Sequence, residues 1–254
     1  MRTAVATALT GVALLASGCA GDSQAQVDDS ASPNLGAADA LVLRTTTTGG
    51  ISALGGPGTV PEFSLYGDGR AITGGAHPTE YRLSPRALRR LVSDASKAGL
   101  ATPRTVDNPR FADATYKVIT FVTGGRPRTT KIIQEGGHAG DPAAAFLPRL
   151  SPATWPRGDQ TADPQPYRAT RVAVLAGPSP DTGDTASTAP KWPFKPLATG
   201  SRVGTRSCTV LTGPDVTKVQ RLTGRPDWRD RGQTFRVTVR PLLPDERDCA
   251  ALNR

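Results

Sequence analysis

The residue whose chemistry the sequence specifies most closely is Cys19, which ends a short apolar segment and follows three small residues. In bacterial lipoproteins, a cysteine in this setting carries a diacylglycerol in thioether linkage, and cleavage leaves the cysteine as the new N-terminus. Residues 15–19, LASGC, follow this lipobox pattern, although Leu15 lies one place further from the cysteine than in the commonest form. The segment predicts lipidation of Cys19, with plain secretion and an incidental cysteine as the alternative.

The segment before Cys19 has the organisation of a signal peptide. Arg2 supplies a positive charge, and residues 4–15 form a 12-residue apolar run. A membrane-spanning helix needs roughly 20 apolar residues, so we expect residues 1–18 to be a lipoprotein signal peptide that is removed. Residues 19–39 are polar and rich in Asp, Ser and Gly, which predicts a disordered tether with a reach of about 25 Å.

The remaining thiol chemistry belongs to Cys208 and Cys249. With Cys19 lipidated, these two cysteines are a pair in an oxidising compartment, which predicts a disulfide bond. A redox or metal-binding pair is the alternative, but no third or fourth soft ligand lies near either cysteine in the sequence. Closing a loop of about 40 residues would stabilise the C-terminal part of the chain by roughly 4 kcal/mol.

Few residues could support catalysis. The sequence contains neither a Gly-x-Ser-x-Gly nucleophile elbow nor a Ser-x-x-Lys motif. Its two histidines, His77 and His138, lie in Gly/Pro-rich loops without the spacing of a zinc site. Glu62, Glu80 and Glu135 could supply the carboxylate pair that a glycosidase uses, although positions at strand ends explain them equally well. We therefore expect no catalytic, cofactor-binding or metal-binding residues.

The formal net charge is +9, and loss of Arg2 with the signal peptide leaves +8. Outside a membrane, this charge predicts weak, salt-sensitive attraction to anionic lipid head groups or wall polymers. The sequence has no long Lys/Arg run and no basic segment interleaved with aromatic residues, which argues against a nucleic-acid partner. It specifies no protein partner.

Hydrophobic patterns predict an α+β fold built mainly on antiparallel sheet. One well-defined amphipathic helix is expected over residues 84–98, with Ser84 as its N-cap and Gly99 at its end. Gly67 to Gly69, the sequence GDG, predicts a tight hairpin. The predicted strands cover residues 40–47, 62–66, 70–73, 115–123, 128–134, 168–175, 208–211 and 234–240, and further short helices begin at 141 and 213.

Proline and glycine divide the predicted elements into lobes. Residues 176–196 contain five prolines, which predicts a linker between a main lobe, 40–175, and a smaller disulfide-stapled β-α-β lobe, 197–254. The glycine-rich residues 49–59 lack the Lys-Ser/Thr ending of a phosphate-binding loop. They are therefore interpreted as a surface loop.

Several segments together resemble a known family: the lipobox, PEFSLYGDGRAIT followed by LSPRALRRLVSDASKAGL, FADATYKVITFV, and TFRVTVRPLLPDERDC. With this spacing the chain is similar to actinobacterial-type cell-envelope lipoproteins that have no assigned biochemical function. The resemblance implies an α+β fold on the outer face of the bacterial cell membrane, and it carries over no catalytic residue.

These observations favour a membrane-anchored extracytoplasmic lipoprotein with a non-catalytic binding or structural role in the cell envelope. Two alternatives remain, an envelope hydrolase that uses paired carboxylates and a secreted-type enzyme inhibitor that presents a loop such as 49–59. A deep cleft with two facing carboxylates would favour the hydrolase, whereas protrusion of that loop from a rigid base would favour the inhibitor.

Overall fold

The computed structural model describes residues 35, 37–50, 55–107, 110–111, 113–136, 140–179, 188–222 and 227–253. These residues belong to one compact unit, Pro33–Arg254. The described part contains two predominantly antiparallel sheets and three α-helices, so the α+β prediction is confirmed. No helix in these residues has the length and hydrophobicity that a membrane crossing requires.

The strands and helices follow one another along the chain with sheet predominating. The α-helices are α1 (Pro85–Lys97), α2 (Pro142–Phe146) and α3 (Pro214–Gln220). The strands are β1 (Leu41–Gly49), β2 (Phe63–Tyr66), β3 (Arg70–Thr73), β4 (Thr79–Leu83), β5 (Arg104–Val106), β6 (Thr115–Thr123), β7 (Arg126–Ile133), β8 (Gln160–Pro166), β9 (Arg171–Pro178), β10 (Ser201–Val203), β11 (Arg206–Thr212), β12 (Asp227–Asp230) and β13 (Gln233–Pro241).

The first sheet has eight strands in the order β5-β7-β6-β1-β2-β3-β4-β8. Its predicted hairpin joins β2 to β3, and Gly69 adopts a φ of 83° that favours glycine. Helix α1 begins where predicted, since the Ser84 hydroxyl accepts a hydrogen bond from the Ala87 N–H at 3.2 Å. The helix packs an apolar stripe against the sheet, comprising Ala87, Leu88, Leu91, Val92 and Ala95.

The second sheet has five strands in the order β10-β11-β9-β13-β12. Its centre is β9, in which Val172 to Ala176 are all buried, a pattern typical of a strand covered on both faces. The lobe boundary expected at residue 175 falls inside this strand. Between residues 197 and 254, two strands precede α3 and two follow it. The sequence instead predicts a β-α-β arrangement, with one strand on each side of the helix.

One strand of the first sheet lies in proline-rich sequence that does not predict a strand. The sequence predicts irregular structure up to Tyr167, but Gln160–Pro166 form β8 at the edge of the sheet. The Tyr167 N–H donates to the Pro78 carbonyl at 2.8 Å, so the preceding residue, Pro166, directs its nitrogen away from β4. Proline is tolerated at such an edge because no ladder hydrogen bond is lost.

The predicted pairing of Cys208 with Cys249 is confirmed. The two residues form a disulfide with Cα atoms 6.0 Å apart, and both are buried. Cys208 lies in β11, and Cys249 lies in the segment after β13, residues 242–253, which we call the C-terminal tail. The bond, together with Leu242 and Leu252, holds this tail against the second sheet.

The C-terminal tail also contacts the first sheet through a half-buried acidic residue. Asp245 accepts a hydrogen bond from the Arg44 guanidinium at 2.7 Å and another from the Tyr66 hydroxyl at 3.0 Å. Arg44 belongs to β1 and Tyr66 to β2, and the Tyr66 side chain is fully buried. Asp245 therefore connects the tail to the two central strands of the first sheet.

A second acidic residue completes this contact. Glu246 pairs with Arg240 of β13 at 2.6 Å, and each side chain is only 3 % exposed. The other carboxylate oxygen of Glu246 accepts the Leu243 N–H at 2.8 Å. We refer to the five residues Arg44, Tyr66, Arg240, Asp245 and Glu246 as the tail cluster. Removing one partner of a pair this deeply buried leaves an uncompensated charge, which typically costs about 3–5 kcal/mol.

The tail cluster predicts a loss of stability at alkaline pH. Burial, then the Asp245 charge, raises the pKa of Tyr66 well above its ordinary value. Burial likewise raises the pKa of Tyr167 to about 12. Above about pH 10 the unfolded tyrosines ionise while the folded ones keep their protons, so the free energy of unfolding falls by about 1.4 kcal/mol per pH unit for each tyrosine.

Urea unfolding between about pH 9 and about pH 11 measures this effect. Tyr66→Phe removes one of the tyrosines whose pKa is raised, so we expect its stability to fall less steeply with pH than that of the wild type. The comparison concerns the slope, and a uniform loss of stability from the missing hydroxyl does not affect it. Equal slopes in the two proteins would contradict the assignment.

Candidate functional site

Two of the residues singled out from the sequence lie outside the described residues. Cys19, with the predicted signal peptide and most of the tether, is one of them, and His138 is the other. His77 lies in an exposed loop between β3 and β4, where its backbone carbonyl accepts a hydrogen bond from Thr79. No cluster of three or more His, Cys, Asp or Glu side chains arranged to hold a metal ion occurs within the described ranges.

The three candidate carboxylates each bind a different partner. Glu62 pairs with Lys117 of β6, and Glu80 pairs with Arg82 at 2.8 Å. Glu135 accepts the Thr115 N–H at 2.9 Å. Glu80 lies in β4, whereas Glu62 and Glu135 lie just outside the ends of β2 and β7.

The chemistry of Glu135 also differs from that of a general acid. Desolvation acts to raise its pKa, but hydrogen bonds from Thr115 outweigh this and hold the pKa below its usual value. A general acid in a glycosidase needs a raised pKa. Glu135 is therefore suited to remain ionised as a hydrogen-bond acceptor.

The second sheet holds residues 55–59, one of the two parts of the glycine-rich loop that the structure describes. The Pro57 carbonyl accepts a hydrogen bond from Arg240 at 3.2 Å. A Cβ atom placed on Gly58 would lie 3.3 Å from a Thr238 methyl group. Residues 51–54 lie outside the described residues. The described end of the loop is thus packed against β13.

Among the described residues, a surface site surrounds Trp155, in the segment between α2 and β8. The indole Nε1 donates a hydrogen bond to the Arg149 carbonyl at 2.8 Å. Its ring makes edge-to-face contacts with Phe63, at 6.0 Å between centroids, and with Tyr81, at 6.1 Å. Part of the indole stays accessible to solvent. A large aromatic surface is therefore fixed in place beside open solvent.

Trp155 separates two cavities that open to solvent. The first, of about 180 Å³, lies between α1 and residues 149–159, and we call it the helix-side cavity. Leu83, Ala87 and Leu91 supply its apolar floor. The second, of about 620 Å³, lies against β4 and β8 and is called the edge-side cavity. Trp155 lines both cavities, so one ligand could contact both sides of this residue.

The charged groups of the helix-side cavity form ion pairs. Arg90 on α1 pairs with Asp159, and Arg149 pairs with Asp94 of α1. The Asp159 carbonyl also accepts the Ser84 N–H at 2.7 Å. These contacts fix the segment that carries Trp155 against the start and the middle of α1.

The edge-side cavity offers a different set of polar groups. Tyr81 and Trp155 form its aromatic side, and Arg157, Gln160 and Asp163 contribute donors and acceptors. Arg157 and Asp163 are exposed. The combination of fixed aromatic surface and planar polar side chains suits a small polar ligand, and the cavity volume falls in the range of small-molecule sites.

The sequence contains no motif that marks this site. Its residues come from two stretches that are far apart in the chain, β4 with α1 and the segment from residue 149 into β8. One local signal was available, because Trp155 is a lone aromatic residue within a polar, proline-rich stretch, SPATWPRGDQ. An aromatic residue in such a stretch indicates either a core contact or a binding surface.

Comparison of the chain with known protein families, curated proteins and solved structures finds no match. The interpretation of the site therefore rests on its own geometry.

The geometry predicts that Trp155 is the tryptophan most accessible to a quencher. Trp192 and Trp228 are each only 5 % exposed, whereas Trp155 is half-buried. We expect Trp155→Phe to remove most of the acrylamide-quenchable fluorescence. Trp228→Phe is the matched control and should leave the quenchable fraction in place. Unchanged quenching in Trp155→Phe would contradict the described position of the indole.

Proposed function

We propose that this protein is a membrane-anchored extracytoplasmic lipoprotein with a non-catalytic binding role in the bacterial cell envelope. Its anchor is a diacylglycerol on Cys19, and residues 19–39 lead from this anchor into the folded unit, which begins at Pro33. Two acyl chains give stable membrane attachment, whereas a single chain is only marginal. The tether length of about 25 Å keeps the folded part close to the membrane surface.

The observation that carries the binding role is the position of Trp155 between two solvent-open cavities. The indole is fixed by its hydrogen bond to Arg149 and by two aromatic neighbours. A site that is ordered before its ligand arrives loses little conformational freedom on binding. The two carboxylates of the helix-side cavity, Asp94 and Asp159, are paired with arginines, which favours recognition over acid–base chemistry.

The rest of the chain has a supporting role in this proposal. Residues 197–254, interpreted from the sequence as a small β-α-β lobe, stabilise the unit through the disulfide and the C-terminal tail. The net positive charge of the mature chain adds a weak, salt-sensitive attraction to anionic head groups or wall polymers.

Metabolic labelling with radioactive palmitate tests the anchor. We expect label in the wild type and none in Cys19→Ser, since only a thiol at this position forms the thioether. The matched control is Ser17→Ala, which keeps a small side chain before the cysteine and should retain the label. Equal incorporation of label into wild type and Cys19→Ser would contradict lipidation of Cys19.

A further inference from the structure

We propose that the two cavities around Trp155 bind sugar units of a neutral glycan. This inference rests on the proposed function, because it names the ligand class of the same binding site. It is carried by three properties of the described residues: the aromatic surface, the balance of charge in the cavities, and the rigidity of the segment that bears Trp155.

The aromatic surface fits the apolar face of a sugar ring. Trp155 lines both cavities, and Tyr81 joins it in the edge-side cavity. A pyranose or furanose ring exposes C–H groups that pack against the face or edge of an aromatic ring, while its hydroxyls point outward. Aromatic side chains provide this contact at low conformational cost because they have only two side-chain torsions.

The charge balance of the cavities selects against an anionic ligand. Their lining contains three arginines and three aspartates, so its formal net charge is zero although the chain as a whole is +9. Both arginines of the helix-side cavity already bind carboxylates. A phosphate or carboxylate ligand would have to displace an aspartate or lie beside it. The charged residues are Arg90, Arg149, Arg157, Asp94, Asp159 and Asp163.

The same groups select against a wholly apolar ligand. Covering charged and amide side chains with hydrocarbon would remove their water without replacing its hydrogen bonds, and this is unfavourable. A hydroxyl both donates and accepts hydrogen bonds. A polyhydroxylated ligand can therefore accept from arginine and Gln160 and donate to aspartate within one short stretch of surface.

The segment that bears Trp155 is held at several points. Two ion pairs and the hydrogen bond from Ser84 attach it to α1, and the indole itself is hydrogen-bonded to Arg149. The adjoining edge strand, β8, is poorly suited to pair with a peptide ligand, because Pro166 has no N–H to donate on the outer side of the strand. A preformed cleft with a proline-protected edge fits a glycan better than an added β-strand.

Isothermal titration calorimetry of the full chain carrying Cys19→Ser tests the ligand class. The probes are hexasaccharides of glucose, mannose, galactose and arabinose, each at about 1 mM, with hexagalacturonate as the anionic comparison. We expect at least one neutral hexasaccharide to bind with an affinity that stays constant between about 0.05 and 0.5 M NaCl.

Three variants locate the binding. Trp155→Ala should weaken binding at least tenfold, roughly the effect of losing a central aromatic contact. Arg157→Ala, at an exposed position outside the core, should weaken it about three- to tenfold. Arg168→Ala removes an exposed arginine outside both cavities and should change nothing. Arg157→Ala keeps the test valid if Trp155→Ala fails to fold.

Three outcomes would overturn the proposal. The first is heat of binding from hexagalacturonate alone, with an affinity that falls as salt rises. The second is the absence of binding by every hexasaccharide, and the third is binding that Trp155→Ala and Arg157→Ala leave unchanged. The palmitate experiment reports on the anchor independently. A labelled protein that binds no neutral glycan contradicts the ligand class alone, and an unlabelled protein that binds one contradicts the anchor alone.

Discussion

The structure depends on hydrogen-bond partners for two acidic residues in the C-terminal tail, the half-buried Asp245 and the buried Glu246. Asp245 and Glu246 can be removed from water only because Arg44, Tyr66 and Arg240 supply donors at hydrogen-bond distance. These donors come from both sheets, so the tail has to lie between them. Buried charges are costly without partners, and this requirement fixes the tail more specifically than its apolar residues could.

This constraint determines which surface is available for binding. The tail contacts the first sheet through Arg44 and Tyr66, whereas α1 packs on Leu65, Ala71 and other residues of the core beneath it. The Trp155 site lies beside that helix, over Phe63 and Tyr81. The disulfide and the tail cluster thus support the fold from one part of the molecule, and the binding groups occupy another.

Local patterns made much of the fold predictable. The capped helix α1, the GDG hairpin and the pair Cys208 and Cys249 each depend on signals within a few residues or on a count of cysteines. The edge strand β8 was missed because its prolines mask strand character. The tail cluster and the Trp155 cavities bring together residues from distant parts of the chain. The spacing of residues in the sequence does not predict contacts of this kind.

Because the tail cluster joins the two sheets, we expect them to unfold as one cooperative unit. Native-state hydrogen exchange of wild type and Glu246→Gln tests this expectation directly, by comparing backbone amides of β2 with those of β13. Amides in both strands should open with the same free energy, and the substitution should lower both free energies equally. Loss of protection in β13 with β2 unchanged would contradict it.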